Sequence, residues 1–304
     1  MPDPAAGLSA LVLGAAAGGG FPQWNCGCRL CRLVRAGDPR VRPATQASVA
    51  VSGDDKNWVV VGASPDLRQQ ILQAPRLWPR SGVRHSPIIG VVLLGGDVDA
   101  LAGLLTLRER QPFTVYGAPG VLDLLRTNRI FGVLDPALVR LRPLAADMPV
   151  ECGAGLRLTL LEMPGKVPLY LESAGAAGPE PGPNYAACLE ANGRRVIVAP
   201  ACADITTRVH RQLDDADVVF FDGTLFTDDE MIVAGLGAKT SRRMGHVPVS
   251  GPGGTLEGLA GLRGRRILLH INNSNPILLA DSPERRQVEA AGFEIAHDGM
   301  EVRL

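Results

Sequence analysis

Short apolar segments alternate with turn-forming residues along the whole chain. We predict strands at residues 8–13, 47–52, 58–61, 88–94, 114–118, 156–163, 186–190, 195–199, 218–221, 266–269, 293–296 and 300–304. Helices are predicted at residues 65–73, from about Leu101, near 121–127, and at 203–214, 228–234, 255–261 and 282–291. Because both halves are rich in strands followed by helices, the pattern favours a sheet-on-sheet core with helices outside. We find no linker, which predicts one domain over residues 1–304, with β-rich halves of about 1–150 and 151–304.

Turn-forming and capping residues set some of the boundaries. The polar turn that begins at Gly53 predicts a hairpin between the second and third strands. Ser64 followed by Pro65 is typical of a helix start, with the serine as N-cap. Residues 173–184 are rich in glycine, proline and alanine, which predicts a mobile loop.

Composition and charge exclude several classes of protein. The chain of 304 residues is 46% hydrophobic but only 4% aromatic, so its core must rely on aliphatic side chains. Basic and acidic residues balance at 31 each, which argues against a nucleic-acid partner. No segment approaches the roughly 20 apolar residues of a membrane span, so we expect no membrane insertion. The amino-terminal segment has no basic leader and carries Asp3, so we expect a cytoplasmic protein.

Three of the six cysteines are clustered in one short loop, at Cys26, Cys28 and Cys31. Thiols this close in sequence can meet one Zn²⁺ at ~2.3 Å without closing a long loop, so we predict a structural zinc. The loop itself supplies no fourth ligand. The other cysteines lie among apolar residues and are predicted to be small buried side chains outside any disulfide: Cys152, Cys188 and Cys202.

The most informative turn follows the buried strand at residues 88–94. It carries Asp97 and Asp99, then Ala100, and opens a helix. Carboxylates on a rigid strand-to-helix turn converge easily on a metal or a substrate. Alternatively, Asp99 is the N-cap of the helix and Asp97 is a solvated acid. The local sequence leaves both interpretations open.

Two histidines and a basic loop in the second half are further candidates. His270 ends an apolar strand, where it either projects into a cleft or has a structural hydrogen bond. His246 is either a general acid/base or an ordinary loop residue. Lys239, Arg242 and Arg243 precede it, and they could bind substrate carboxylates or simply be solvated.

Several unusual strings occur together in this chain, including GGGFPQWNC, PGKVPLYLE and HINNSNP. With them, the sequence resembles, almost end to end, the coenzyme pyrroloquinoline quinone (PQQ) synthesis protein B family of the metallo-β-lactamase-fold superfamily. The resemblance implies an α/β (α+β) fold, a four-layer αββα sandwich, and a role in making a redox quinone cofactor. The activity it implies is iron- and oxygen-dependent hydroxylation of a late quinone precursor, or in an older suggestion carriage or export of PQQ. It also implies a structural zinc on the cysteine loop, with Asn273 as the candidate fourth ligand.

The chain departs from this family at the acidic turn that follows the strand at residues 88–94, here called the central turn. Family members typically read threonine, a polar residue and then Asp-His, whereas this chain has Leu94 and Gly95, then Asp99 and Ala100. Of the implied Fe²⁺ ligands, Asp99 and His270 therefore remain, with Asp97 as a further candidate ligand. Losing a ligand should weaken metal binding, since even outer partners change affinity about 10- to 100-fold.

Three functional hypotheses follow from these residues. In the first, Fe²⁺ on Asp99, His270 and Asp97 serves an oxidoreductase, with His246 as acid/base and Arg243 as carboxylate clamp. In the second, a catalytically weak relative binds or carries PQQ or its small-molecule precursor. The third, hydrolysis of a phosphodiester, is weakest because the histidine-rich motif is absent and the charge is balanced. All require the acidic turn and His270 to share one cavity, and a homodimer is one assembly the sequence allows.

Overall fold

The computed structural model describes residues 7–172 and 184–304, which form two seven-stranded sheets. The strands are β1 (Ser9–Gly14), β2 (Ser48–Ser52), β3 (Trp58–Val61), β4 (Ile88–Leu93), β5 (Phe113–Gly117), β6 (Val139–Pro143), β7 (Val150–Gly153), β8 (Leu156–Met163), β9 (Asn184–Ala191), β10 (Arg194–Ala199), β11 (Val218–Asp222), β12 (Arg265–Leu269), β13 (Phe293–Ile295) and β14 (Glu301–Arg303). The α-helices are α1 (Arg29–Arg35), α2 (Leu67–Gln73), α3 (Val98–Leu101), α4 (Pro119–Thr127), α5 (Thr207–Asp214), α6 (Glu230–Val233), α7 (Thr255–Gly258) and α8 (Pro283–Ala290). Among these described helices, none has the length and apolar character needed to cross a bilayer.

The two sheets repeat one arrangement of strands. The first has the order β14-β1-β2-β3-β4-β5-β6 and the second β13-β12-β11-β10-β9-β8-β7. In each sheet, antiparallel strands lead into four parallel ones, β3 to β6 in the first and β10 to β13 in the second. The carboxyl ends of parallel strands lie at one edge, where ligands commonly bind in open sheets. β14 pairs with β1, so the end of the second half completes the first sheet.

Successive side chains along a strand belong to two different apolar layers. On β11, Val218 and Phe220 belong to the large core that includes residues of both sheets. Val219 and Phe221 point the other way and pack in a second core with Val209 of α5. This alternation follows from the pleat of a strand, which sends successive side chains to opposite faces. The arrangement confirms the predicted αββα sandwich.

Most of the predicted elements are present, with informative differences. The predicted hairpin of β2 and β3 is confirmed, whereas β6 and β7 were not predicted. Ser64 is not a cap: its hydroxyl donates to Oε1 of Gln70, 3.0 Å away, and Asp66 directly precedes α2. The predicted loop at 173–184 lies outside the described residues except for Asn184, which begins β9. The single domain stays a prediction.

The three scattered cysteines are buried, as predicted. Burial raises the pKa of Cys152 and Cys202 to about 12 and that of Cys188 to about 11. Such thiols stay protonated near neutral pH, so they behave as small apolar side chains rather than nucleophiles.

Gly103, just after α3, tests how tightly the central turn is packed. Its N–H donates to the carbonyl of Ala63 at 2.8 Å, and a Cβ at this position would collide with the backbone oxygens of Ala63 and Ser64. We expect Gly103→Ala to lower the free energy of unfolding by about 1–3 kcal/mol. Urea titration measures this change.

Gly120 in α4 is the matched control, because a Cβ there would meet no atom within 4 Å. Gly120→Ala should leave stability unchanged or raise it by about 0.4–1 kcal/mol. Equal unfolding midpoints for the two variants would contradict the packing described here.

Candidate active site and zinc cluster

One cavity lies where strand ends of the two sheets meet. Asp97 reaches it from the loop after β4, Asp99 from the first turn of α3, and His270 from the position directly after β12. Asp99 Oδ2 is 3.0 Å from His270 Nε2, although the two residues are 171 positions apart. The acidic turn and His270 therefore share one cavity, as the sequence predicts.

The interpretation of Asp99 as a helix cap is wrong. Helix α3 begins at Val98, so Asp97 occupies the N-cap position and Asp99 lies in the first turn. The Asp97 side chain makes no capping hydrogen bond either. Ala100 N donates to Asp97 O, which starts the helix earlier than the sequence pattern indicates. Both carboxylates are thus available to the cavity.

The electrostatic environment separates the two aspartates. Burial opposes ionisation of Asp99, but the hydrogen bond and charge of His270 outweigh it, so its pKa lies below the usual value. Burial and the neighbouring Asp99 raise the pKa of Asp97. Burial alone would lower the pKa of His270, but Asp99 and two further aspartates raise it. Both shifts favour the charged forms, so this contact favours a hydrogen-bonded ion pair of Asp99 and His270.

His246 and His270 stack, with ring centroids 5.3 Å apart and planes 20° apart. The hydroxyl of Thr224 lies between them, 3.1 Å from His246 Nδ1 and 2.9 Å from His270 Nδ1. It donates to Oδ1 of Asp222 at 2.7 Å, while Oδ2 of Asp222 lies 2.8 Å from His246 Nδ1. Because both Nδ1 atoms are held on this side, the Nε2 atoms lie on the other side of the rings, where that of His270 contacts Asp99.

Sequence reasoning missed Asp222 and Thr224, although Asp222 is the last residue of β11 and Thr224 follows two residues later. Asp222 is fully buried, and its Oδ2 also accepts from Cys202 N at 2.9 Å. Donor atoms of Asp222, His246 and His270 lie within 4.8 Å of one another. Since both oxygens of Asp222 are engaged, we assign it to orienting His246 rather than to facing a ligand. The signal that could have found it is an acid at the carboxyl end of a parallel strand.

The predicted basic residues lie away from the cavity lining. Lys239 Nζ pairs with Glu172 at 3.2 Å, and the Arg242 guanidinium donates to two backbone carbonyls of the following loop. Arg243 is exposed. The lysine that does line the cavity is Lys166, which the sequence did not single out. Substrate binding by Lys239, Arg242 and Arg243 stays a prediction.

The structure brings Asn273 to the cysteine loop. Its Nδ2 lies 3.2 Å from Cys26 Sγ, 3.3 Å from Cys31 Sγ and 3.7 Å from Cys28 Sγ. Cys28 is also the N-cap of α1, accepting from Cys31 N. Three converging thiols suit Zn²⁺, and turning the amide by 180° would present an oxygen as the fourth donor. Burial raises the pKa of Cys31 to about 11, so zinc binding would have to release that proton.

Comparison with known proteins defines first the class and then the family. The family model described as "Beta-lactamase superfamily domain" matches residues 57–271. "Coenzyme PQQ synthesis protein B" of Gluconacetobacter diazotrophicus is 53% identical over 308 residues, covering 97% of this chain and 99% of the relative. The protein of the same name from Methylobacterium radiotolerans is 49% identical over 299 residues, covering 98% and 100%. This chain therefore belongs to the coenzyme PQQ synthesis protein B family.

A solved structure extends the likeness to three dimensions. It is the crystal structure of Zn²⁺-bound PqqB from Methylobacterium extorquens, which is 48% identical to this chain. The match has a TM-score of 0.94 and covers 97% of this chain and 100% of the other. The fold predicted from the sequence is thus confirmed by a close relative, and that relative binds zinc.

Cys28→Ser tests the zinc cluster. A hydroxyl is a much poorer zinc ligand than a thiolate, so we expect the variant to lose most of its zinc and to melt at a lower temperature. Metal analysis of the purified protein and calorimetric unfolding measure the two effects. Cys152→Ser is the control. This buried cysteine belongs to the core and not to the cysteine loop, so the variant protein should retain its zinc. Full zinc content and unchanged melting in Cys28→Ser would show that the cluster is not a structural site.

Proposed function

We propose that this protein acts in PQQ biosynthesis as an iron-dependent oxygenase that hydroxylates a late quinone precursor. The observation that carries the proposal is the meeting of Asp99, His246 and His270 in one cavity. Two imidazoles and one carboxylate are the donor set of non-haem iron oxygenases. Family membership supports the PQQ pathway, since the relatives are named for that synthesis.

The proposal changes the set of Fe²⁺ donors that the sequence suggests. We retain Asp99 and His270 as ligands, with Asp97 beside them, and give His246 the third position in place of an acid/base role. Fe²⁺ bound there would supply the activation of dioxygen. Asp222 and Thr224 hold the Nδ1 atoms of the imidazoles, so the ring orientations are fixed before any ligand arrives.

The walls of the cavity suit an aromatic substrate. Besides the polar donors, apolar and aromatic side chains line it: Leu94, Tyr185, Val198, Met244 and Leu269. An apolar pocket with a few fixed polar groups is the usual form of a small-molecule site. A quinone precursor could place its ring against these walls and the reacting carbon towards the imidazoles.

A second candidate function rests on Ala100. This residue lines the cavity with a methyl group where the family pattern has an imidazole. A chain with one donor fewer would bind PQQ or its precursor and carry it without turnover. A homodimer and a cytoplasmic location likewise stay predictions.

A single-turnover assay distinguishes the two functions. The protein is loaded with Fe²⁺ without oxygen, mixed with the quinone precursor and a two-electron reductant such as ascorbate, and then exposed to ¹⁸O₂. We expect one labelled oxygen atom to be inserted into a C–H bond of the precursor, giving a hydroxyl group of the product, and the other to leave as water formed with the two electrons of the reductant. His270→Ala should lower the yield at least about 100-fold, whereas His85→Ala, outside the cavity lining, should not. Tight precursor binding with no product in iron-loaded protein would support the carrier instead.

Ala100→His restores the missing imidazole and tests the turn directly. Since outer partners alone change metal affinity about 10- to 100-fold, we expect Fe²⁺ affinity to rise at least about tenfold. Competition titration under nitrogen measures it. Val98→His is the control, because Val98 lies on the same turn but is 60% exposed. Equal Fe²⁺ affinity in both variants and the parent chain would mean that the turn is not part of a metal site.

A further inference from the structure

Two of the three lysines of this chain meet on one carboxylate beside the cavity. Lys166 Nζ lies 3.3 Å from Glu172 Oε1, and Lys239 Nζ lies 3.2 Å from Glu172 Oε2. Hydrogen bonds from both lysines keep the pKa of Glu172 below its usual value, so the carboxylate is charged. The group carries two positive charges and one negative charge, and hence a net positive charge.

Lys166 is held in a defined position. A Cβ on Gly245 would come within 2.9 Å of Lys166 Cγ, so the lysine stem runs directly over this glycine. Gly245 has a φ of 86°, which also favours glycine there. Besides Glu172, Nζ donates to Val167 O at 3.3 Å. An ammonium group has three N–H donors, so these two contacts leave one for a ligand.

The cavity needs a positive group if its ligand is an anion. Asp97 and Asp99 both line it, and they would repel a carboxylate. Among the described residues, Lys166 is the one lysine or arginine in the lining. Its charge also opposes the rise in the pKa of Asp97 that burial and Asp99 cause.

We propose that Lys166 binds a carboxylate of an aromatic, anionic substrate and thereby sets which end of the molecule faces the imidazoles. Glu172 is a positioning residue in this arrangement. When Lys166 turns to the substrate, Glu172 keeps Lys239 as its partner, so no carboxylate is left unpaired. The inference rests on the proposed function, because it names the chemistry that the same cavity recognises.

PQQ itself is the probe, since it combines a fused aromatic ring system with carboxylates. Its dissociation constant is measured by equilibrium dialysis for the full chain and three variants. We expect Lys166→Met to weaken binding at least about tenfold, as a charge-assisted hydrogen bond is lost. Lys166→Arg should recover most of the affinity because it retains the charge. Lys56→Met, in the turn between β2 and β3, should bind like the parent chain.

A neutral o-quinone, 9,10-phenanthrenequinone, separates charge recognition from general damage. Lys166→Met should bind it as well as the parent chain does. Equal PQQ affinity in Lys166→Met and the parent would overturn the role of Lys166 and leave the proposed function standing. If Lys166→Met loses affinity for both probes and Lys166→Arg does not recover it, the role of Lys166 is also overturned. If the parent chain binds neither PQQ nor its precursor, the proposed function fails as well.

Discussion

The contact between Asp99 and His270 joins the two sheets at the point where the chemistry would occur. Asp99 follows β4 of the first sheet and His270 follows β12 of the second, so the pair forms only when the sandwich is closed. Both side chains are largely buried, with 21% and 14% of their surfaces exposed. A buried charge without a partner is costly. The carboxylate from the first sheet and the imidazole from the second therefore stabilise each other. A metal entering this contact would replace one partner of each residue rather than create a new polar site.

Behind that contact, a second set of polar groups fixes the imidazoles. Thr224 donates its one hydroxyl proton to Asp222, so its oxygen is left to accept from the histidine Nδ1 atoms. Asp222 in turn accepts from the backbone of Cys202, which ties the network to the loop after β10. His270 has a φ of 59°, a left-handed conformation that is unfavourable for residues other than glycine. Such backbone conformations persist where surrounding contacts determine them, and they are frequent at functional sites.

Local features of the chain were predictable, and long-range ones only partly. Apolar runs identified most strands, and the cysteine loop was evident because its three thiols lie within one short segment. The prediction that Asp99 caps the helix was wrong because the helical hydrogen bonds already begin at Asp97 O. The turn is also held by a contact distant in sequence, from Ala63 N to Ala100 O. Asp222 looks in the sequence like any strand-end acid, and its role depends on loops that meet only in the fold. The basic loop stands out in the sequence by its charge density, whereas Lys166 lines the cavity because of its position above Gly245.

The cysteine loop and the cavity are connected by one short segment. His270 faces the cavity, and Asn273, three residues later, faces the cysteine thiols. Between them, Ile271 is held by the loop after β1, since its N–H donates to Ala15 O and its carbonyl accepts from Ala17 N. A ligand bound by Asn273 would therefore restrict the backbone that presents His270. A metal held there would limit, without touching a substrate, the freedom of an imidazole whose orientation the proposed chemistry requires.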